Sequence, residues 1–205
     1  MINLNPFNLV IMLYTKILAR KFAHFGKNSF VGPILNSTNE EFISIGDEVG
    51  IGTFCRITVA TEYAGVKCKS DNLIRLKIGN RVSIGHNTFI SVNNSVEIGD
   101  DVLMSCYVFI TDHDHGFYDI EQDILKQPLT EGGHTKIGSH VFLGVKSSVL
   151  KNVTIGEHSV VGANSVVTRD VPPYSIVAGN PARVVKQYNF EKEKWVSLST
   201  TKKEL

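Results

Sequence analysis

Two aspartates and two histidines alternate in the stretch TDHDHG, Thr111 to Gly116. These residue types suit two kinds of chemistry. An imidazole beside a carboxylate can act as a general base for a weak nucleophile such as a hydroxyl group, because free imidazole has a pKa of about 6.5. Two histidines one residue apart, flanked by carboxylates, can also coordinate zinc or a similar ion. The third interpretation is a solvated loop without chemistry.

A metal site here would need a further ligand from elsewhere in the chain. His86, His134 and His140 could each supply it, and no spacing favours one of them. Zinc sites that are recognisable from sequence have characteristic ligand spacings. We therefore expect no metal and prefer a general base.

The position of each histidine favours one of them as the base. His113 lies three residues after Ile110, the last regular position of a repeat, so a rigid strand would aim its ring. His115 is the second candidate, because it lies deeper in the loop. Asp112 or Asp114 could orient the imidazole or bind the acceptor, and the residues alone do not decide between them.

A six-residue period positions this stretch. Aliphatic residues recur every sixth position, and a small or β-branched residue stands four positions after them in the same hexads. The aliphatic positions are Ile45, Ile51, Ile57, Ile78, Ile84, Ile90, Ile98, Met104, Ile110, Ile137, Leu143, Val149, Ile155, Val161 and Val167. A period of six fits neither an α-helix nor a plain strand. It indicates a short extended face plus a corner, and three such faces make one coil of an all-β solenoid.

Details of the hexads support a solenoid over a β-sandwich, in which strand-plus-turn units run about 8–12 residues. Glycine often follows the aliphatic residue, where it relieves backbone crowding or permits a positive φ. Asn87, Asn152 and Asn164 stand three positions after an aliphatic residue, which fits corners of left-handed backbone. We also expect His140 and His158, 18 residues apart, to stack on one corner.

Two interruptions and two irregular ends complete the predicted organisation. The repeat breaks at residues 62–77 and 111–136, and loops of this length in a compact domain are usually functional. Residues 1–24 predict an amphipathic helix that begins at Asn5-Pro6, ends near Lys21 and caps the first coil. Contact of this helix with a membrane surface is the alternative.

The predicted domains follow from these features. Residues 25–187 form the repeat domain, with an active-site loop at 111–136. Residues 188–205 form a short C-terminal helix, from Phe190 to about Leu198, and a tail.

Composition narrows the functional classes. The chain has 21 Lys and Arg against 20 Asp and Glu, which argues against a nucleic-acid-binding protein. Its three cysteines include no CxxC pair, so we expect reduced thiols in a cytoplasm rather than a disulfide framework.

Longer motifs in the repeat are specific. IGSHVFLG, VTIGEHSVVGANSVVTRDVPP and IVAGNPARVV resemble the C-terminal coils of maltose and galactoside O-acetyltransferases, which are hexapeptide-repeat enzymes. Together with TDHDHG and YNFEKEKW, the sequence is most similar to acetyltransferases of lipopolysaccharide and capsule biosynthesis. The resemblance covers about residues 25–187. It implies a left-handed parallel β-helix, a homotrimer, and acetyl-CoA bound between two subunits.

The resemblance also implies roles for individual residues. The family pattern Thr-x-His places the base at His113. The residues whose backbones would line the cofactor groove are Gly144, Val145, Ala163 and Thr168, and those that would contact phosphates are Arg169 and Arg183. Further candidates for acceptor contact are Asn93, Asp112 and Phe142.

The expected function is acetyl transfer from acetyl-CoA to a sugar hydroxyl of a surface polysaccharide, such as O-antigen or capsule, or its precursor. We expect the protein in the cytoplasm, with peripheral contact at the inner membrane as a further option. Two alternatives remain. One is an acetyltransferase for a small molecule such as serine, a free sugar or an antibiotic. The other is a metal protein like the γ-class carbonic anhydrases, which share the expected fold.

Overall fold

The computed structural model describes residues 6–198, so the predicted cap Asn5 and the tail 199–205 lie outside the described residues. One α-helix, α1, spans Pro6–Ala19, and two 3-10 helices span Glu40–Phe42 and Ile124–Lys126. The first strands are β1 His24–Phe25, β2 Phe30–Val31, β3 Asn36–Thr38, β4 Ile43–Ile45, β5 Gly50–Ile51, β6 Arg56–Val59, β7 Glu62–Tyr63, β8 Val66–Lys67, β9 Leu76–Ile78, β10 Ser83–Ile84, β11 Phe89–Val92, β12 Ser95–Ile98, β13 Leu103–Met104 and β14 Phe109–Thr111. The following strands are β15 His134–Ile137, β16 Phe142–Leu143, β17 Ser148–Val149, β18 Thr154–Ile155, β19 Val160–Val161, β20 Val166–Val167, β21 Ser175–Gly179, β22 Ala182–Asn189 and β23 Lys194–Ser197.

Three sheets of parallel strands form the body. The first sheet has the order β1-β4-β9-β12-β15-β18, the second begins β2-β5-β10-β13-β16-β19-β21, and the third is β20-β17-β14-β11-β6-β3. Each coil therefore contributes one strand to each sheet in turn, and each strand pairs with the equivalent strand of the next coil. This topology is a three-sided parallel β-helix, which confirms the fold predicted from the hexads.

The two registers of the repeat fill the interior. Every aliphatic residue of the first register, from Ile45 to Val167, is at most 2% exposed. The small and β-branched residues four positions later are buried as well. Since successive side chains of a strand point to opposite faces, the residues between these positions point outward. The narrow core thus holds one larger and one smaller side chain on each face of each coil.

The corners have the predicted backbone. Asn87, Asn152 and Asn164 have φ angles of 58°, 59° and 56°, in the left-handed region. His140 and His158 occupy the equivalent position on another corner, and their rings stack with centroids 4.4 Å apart. Both predictions are confirmed.

Helix α1 packs across the first coil, as predicted. Leu18 is buried against the coil. The Thr15 hydroxyl accepts a hydrogen bond from the N–H of Val31 at 3.1 Å and donates to its carbonyl oxygen at 3.4 Å. Part of the predicted apolar face points away from the coil, since Val10 and Ile17 are exposed. No helix within residues 6–198 is long and apolar enough to cross a membrane.

The prediction of a C-terminal helix is wrong. After β21 the chain reverses, and β22 and β23 extend the second sheet as an antiparallel hairpin. The rings of Tyr188 and Trp195, which stand opposite each other on these strands, meet edge-on at 5.5 Å. Such cross-strand aromatic pairs stabilise a hairpin. The boundary predicted at residue 188 therefore cuts through a strand.

Both interruptions of the repeat leave the coils at the same corner. The first forms the hairpin β7–β8 between β6 and β9, and the second connects β14 to β15. Each thus runs from the third sheet to the first sheet, and we call this edge the insertion corner. The coil between them makes the same connection, from β11 to β12, with only Asn93 and Asn94. The two long insertions therefore flank a tight turn.

Candidate active site

His113 lies just beyond β14, at the start of the second insertion. Its side chain is 9% exposed, and its Nδ1 lies 2.8 Å from Oδ1 of Asp112. A carboxylate that is ionised only accepts hydrogen bonds, so with a neutral imidazole this contact requires the proton on Nδ1 and leaves the lone pair on Nε2. The ring is therefore held in the tautomer that a general base requires.

Asp112 is fully buried and is held by the turn between the two insertions. Its carboxylate accepts hydrogen bonds from the backbone N–H groups of Asn93, Asn94 and Ser95, each at 2.7 Å. Three N–H donors and the imidazole satisfy a buried charge that would otherwise be costly. Of the two aspartates that the sequence left open, the structure pairs Asp112 with the imidazole.

Asp114, which the sequence named as a candidate catalytic residue, has a different set of contacts. Its carboxylate pairs with Lys151 Nζ at 2.6 Å. Its backbone N–H donates to Thr130 Oγ1, and its carbonyl oxygen accepts from the Thr130 N–H, both at 2.9 Å. These contacts fix the insertion to itself and to the next coil. Asp114 therefore stabilises the loop, whereas Asp112 contacts the imidazole ring of His113.

His115, the second candidate for the base, is exposed and lies outside the strand. Its ring meets Tyr63 of the first insertion edge-on, at 4.9 Å between centroids. Its backbone forms an isolated antiparallel bridge with Leu129. Within residues 6–198 no carboxylate lies within ion-pair distance of this ring. His115 therefore lacks the orienting partner that His113 has.

The histidines considered as further metal ligands have other contacts. His86 Nδ1 lies 2.9 Å from the backbone nitrogen of Thr53, and His134 Nδ1 lies 2.9 Å from Ser95 Oγ. His140 stacks on a neighbouring histidine at a corner. In the part of the chain that the structure describes, no three His, Cys, Asp or Glu side chains are grouped to hold a metal ion.

Two of the predicted cofactor residues share the insertion corner with His113. Thr168 and Arg169 follow β20, while His113 follows β14, and β17 lies between these two strands in the third sheet. At a strand spacing of about 4.8 Å, they lie about 10 Å along the helix axis from His113. Both are exposed and can contact a ligand in a groove along this edge.

The other predicted groove residues lie at the opposite end of the third sheet's strands. Gly144 and Ala163 occupy equivalent corners of neighbouring coils, where a Cβ on Gly144 would meet the Ala163 nitrogen at 2.6 Å. Glycine is needed there for close backbone approach and not for a positive φ. The Gly144 N–H donates to the Val161 carbonyl oxygen at 2.8 Å, so it is not available to a ligand. Val145 is 38% exposed beside it.

The remaining predicted contacts are not brought to His113 within one chain. Phe142 lies on the second sheet, in register with Leu103 and Val160. Arg183 is exposed on β22, with Nη1 donating to the Ala182 carbonyl oxygen at 2.9 Å.

Sequence reasoning missed two contacts of the active-site loop. In one of them, Lys151 pairs with Asp114. Its position two residues after the hexad aliphatic Val149, one coil beyond His113, is a signal that could have indicated this pairing. Tyr63 lies in an insertion without periodicity, and no sequence signal places it against His115.

Comparisons with known proteins agree with the fold. The profile of the bacterial transferase hexapeptide family, in its six-repeat form, matches residues 134–169. A putative lipopolysaccharide biosynthesis O-acetyltransferase of Escherichia coli K12 is 34% identical over 164 residues, which cover 77% of this chain and 78% of that protein. A probable acetyltransferase of Mycobacterium tuberculosis is 37% identical over 135 residues, which cover 63% of this chain and only 42% of the relative.

A solved structure has the same fold. The N-acyltransferase AntD of Bacillus cereus, in complex with dTDP and 3-hydroxybutyryl-CoA, superposes with a TM-score of 0.69. The identity is 23%, and the match covers 86% of this chain and 89% of that one. The buried hexads, the three-sided coil and the similarity over most of the Escherichia coli relative lead to one conclusion. The chain belongs to the hexapeptide-repeat acetyltransferase family.

Proposed function

We propose that the protein transfers an acetyl group from acetyl-CoA to a sugar hydroxyl of a surface polysaccharide or its precursor. The observation that carries this proposal is the contact between His113 Nδ1 and the buried carboxylate of Asp112, which leaves Nε2 as the ring nitrogen that can act as a base. Similarity to the putative lipopolysaccharide O-acetyltransferase supports a glycan as the acceptor.

The proposed step balances as follows. Nε2 of His113 removes the proton of the acceptor hydroxyl while the oxygen attacks the thioester carbonyl carbon. A C–O bond forms and the C–S bond breaks. The imidazolium returns the proton to the sulfur of the leaving group, so the products are an O-acetyl ester and free coenzyme A. Asp112 holds the ring and stabilises the imidazolium during the step.

Exposed basic residues suit the phosphates of coenzyme A. Within residues 6–198, neither Arg169 nor Arg183 has a carboxylate within ion-pair distance. Both guanidinium groups are exposed and free to bind phosphate in a bidentate manner. We assign Thr168 and the exposed residues Val145 and Ala163 to the pantetheine arm, and exclude the engaged N–H of Gly144.

The finer architecture is part of the same proposal. We infer left-handed winding and a homotrimer from the resemblance to the family. The residues assigned to the cofactor lie at both ends of the third sheet's strands, which supports a groove between subunits. A second subunit is what would bring such residues to a single groove. The three cysteines are free, which agrees with a reducing cytoplasm.

The proposal is tested by acetyl transfer in the presence of a panel of free and lipid-linked glycans, with release of the coenzyme A thiol as the measurement. His113→Ala should lower kcat by about 10²–10⁴-fold, the usual contribution of a general base. Binding of acetyl-CoA and the oligomeric state should not change.

His115→Ala is the matched control, since that ring is exposed and has no carboxylate partner among the described residues. It should retain most of the activity. Near-normal turnover in His113→Ala, or an equal loss in both variants, would contradict the proposed base.

A further inference from the structure

A cavity of about 220 Å³ lies between the two insertions at the insertion corner. One side is formed by residues 66–69 of the first insertion and the other by residues 128–132 of the second. Asn93, in the turn between them, completes the lining. Because the Asn93 N–H also donates to Asp112, this cavity lies next to the pair formed by Asp112 and His113.

Asn93 carries an unused hydrogen-bond acceptor. Its side chain is 3% exposed, and its Nδ2 donates to the Thr130 carbonyl oxygen at 3.1 Å. Its Oδ1 is buried and has no partner within residues 6–198. A buried carbonyl oxygen without a donor is unfavourable. A ligand hydroxyl group that reached this oxygen from the cavity would supply the missing donor.

The side chains that line the cavity carry more positive than negative charge. Lys67 and Lys69 line it, against one carboxylate, Glu131. Behind it, the buried guanidinium of Arg75 donates from Nη1 to the Asn93 carbonyl oxygen at 3.0 Å. In the part of the chain described, no carboxylate lies within ion-pair distance of Arg75.

Cys68 also lines the cavity, and nearby charges affect the pKa of its thiol. Burial raises the pKa of this thiol. Among the charges that act on it, Arg75 has the largest single effect and lowers the pKa, whereas Asp112 and Glu62 raise it. The guanidinium of Arg75 is thus close enough to act on a charged group in this cavity.

We propose that this cavity binds the acceptor as an acidic sugar, with a carboxylate or phosphate near Lys67 and Lys69 and a hydroxyl donated to Asn93 Oδ1. This inference rests on the proposed acetyl transfer at His113 and narrows its acceptor to a negatively charged glycan unit. The two insertions select the acceptor, while the coils hold the base.

Alkylation of Cys68 by iodoacetamide tests the proposal without any turnover. D-glucuronate and D-glucose 1-phosphate serve as probes for the carboxylate and phosphate sources, and D-glucose serves as the neutral control. Mass spectrometry measures the rate at each cysteine, with Cys106 as an internal reference outside the cavity lining. At least one acidic probe should protect Cys68 with an affinity about tenfold above that of glucose, as expected for charge-assisted contacts.

Two variants separate charge from hydroxyl recognition. Lys67→Gln with Lys69→Gln should remove the preference for the acidic probe, while Lys192→Gln with Lys194→Gln, an equal charge change on the exposed C-terminal hairpin, should retain it. Asn93→Ala should weaken protection by every probe. Because the lysines are exposed, loss of folding does not complicate the first comparison.

Equal protection by glucose and the acids, no protection by any probe, or an unchanged preference in the lysine variant would overturn the inference. Transfer to a neutral sugar with loss of activity in His113→Ala would then leave the proposed function intact. Conversely, protection by an acid without any acetyl transfer would leave the cavity assignment standing and reject the reaction.

Discussion

At the scale of the residue, the two aspartates and two histidines of residues 112–115 differ in the environment of their side chains. Asp112 and His113 form a buried pair, whereas Asp114 binds Lys151 and His115 lies exposed against Tyr63. Asp112 differs from Asp114 because three backbone N–H groups surround it. A carboxylate held in this way is fixed in position and can orient the imidazole beside it.

Replacing Asp112 by Asn should lower kcat by about 100-fold or more, because an amide cannot hold the imidazole in the required tautomer and stabilise its charge. The KM for acetyl-CoA should stay nearly constant, since Asp112 does not belong to the proposed cofactor groove. Steady-state kinetics on folded protein measure both parameters.

Asp114→Asn is the matched control for this prediction. It removes one carboxylate of the same loop that pairs with Lys151 at a partly exposed site. We expect a change in kcat of less than about threefold, since such pairs contribute little. If the two variants lost activity equally, Asp112 would not be the orienting residue.

At the scale of the element, helix α1 covers the end of a solenoid that would otherwise expose its core. Leu18 packs inward and Thr15 bonds to the backbone of Val31, while the other side of the helix faces outward. At the other end, the hairpin β22–β23 continues the second sheet. The two ends of the coil stack thus use different elements, one helical and one antiparallel.

Leu18→Ala should lower the free energy of unfolding by about 2 kcal/mol, the lower part of the range for buried leucines, because the site lies at an end of the core. Leu9→Ala, on the exposed side of the same helix, should change it by less than about 0.5 kcal/mol. Urea unfolding measures both, and equal effects would contradict the docked helix.

At the scale of the whole molecule, one narrow core runs through all the coils. Its buried positions include polar residues. Some of their hydroxyl groups have a hydrogen-bond partner and others do not. The Thr88 hydroxyl is buried without a hydrogen-bond partner among the described residues. The Thr135 hydroxyl, equally buried, donates to the Thr111 carbonyl oxygen at 3.0 Å. The contribution of a core threonine therefore depends on the coil in which it lies.

Thr88→Val should raise the free energy of unfolding by about 1 kcal/mol, because an unsatisfied buried hydroxyl is replaced by a methyl group of the same shape. Thr135→Val should lower it by about 1 kcal/mol, because a made hydrogen bond is lost. The shift of the urea midpoint measures both. If both substitutions changed the free energy of unfolding in the same direction, the two hydroxyl groups would not differ in their hydrogen bonding as described.

The sequence by itself determined the repeat, and with it most of the fold. A period of six with two buried registers allows few arrangements other than a three-sided coil, so the core, the corners at Asn87 and Asn152, and the positions of both insertions could be predicted. The local pattern failed at residues 190–198. There, cross-strand pairing of Tyr188 with Trp195 outweighs helix propensity, and such pairing depends on a strand that precedes it.

The tertiary structure alone decided how the site is assembled. TDHDHG shows two aspartates beside two histidines, but only the turn at Asn93 and Asn94, supplied by the preceding coil, surrounds Asp112 with N–H donors. Likewise, the cavity between the insertions joins residues that are about 60 positions apart and have no periodicity. Periodicity predicts structure where the same contact repeats along the chain. An acceptor site is built from contacts that occur once, so its geometry emerges only when the coils stack.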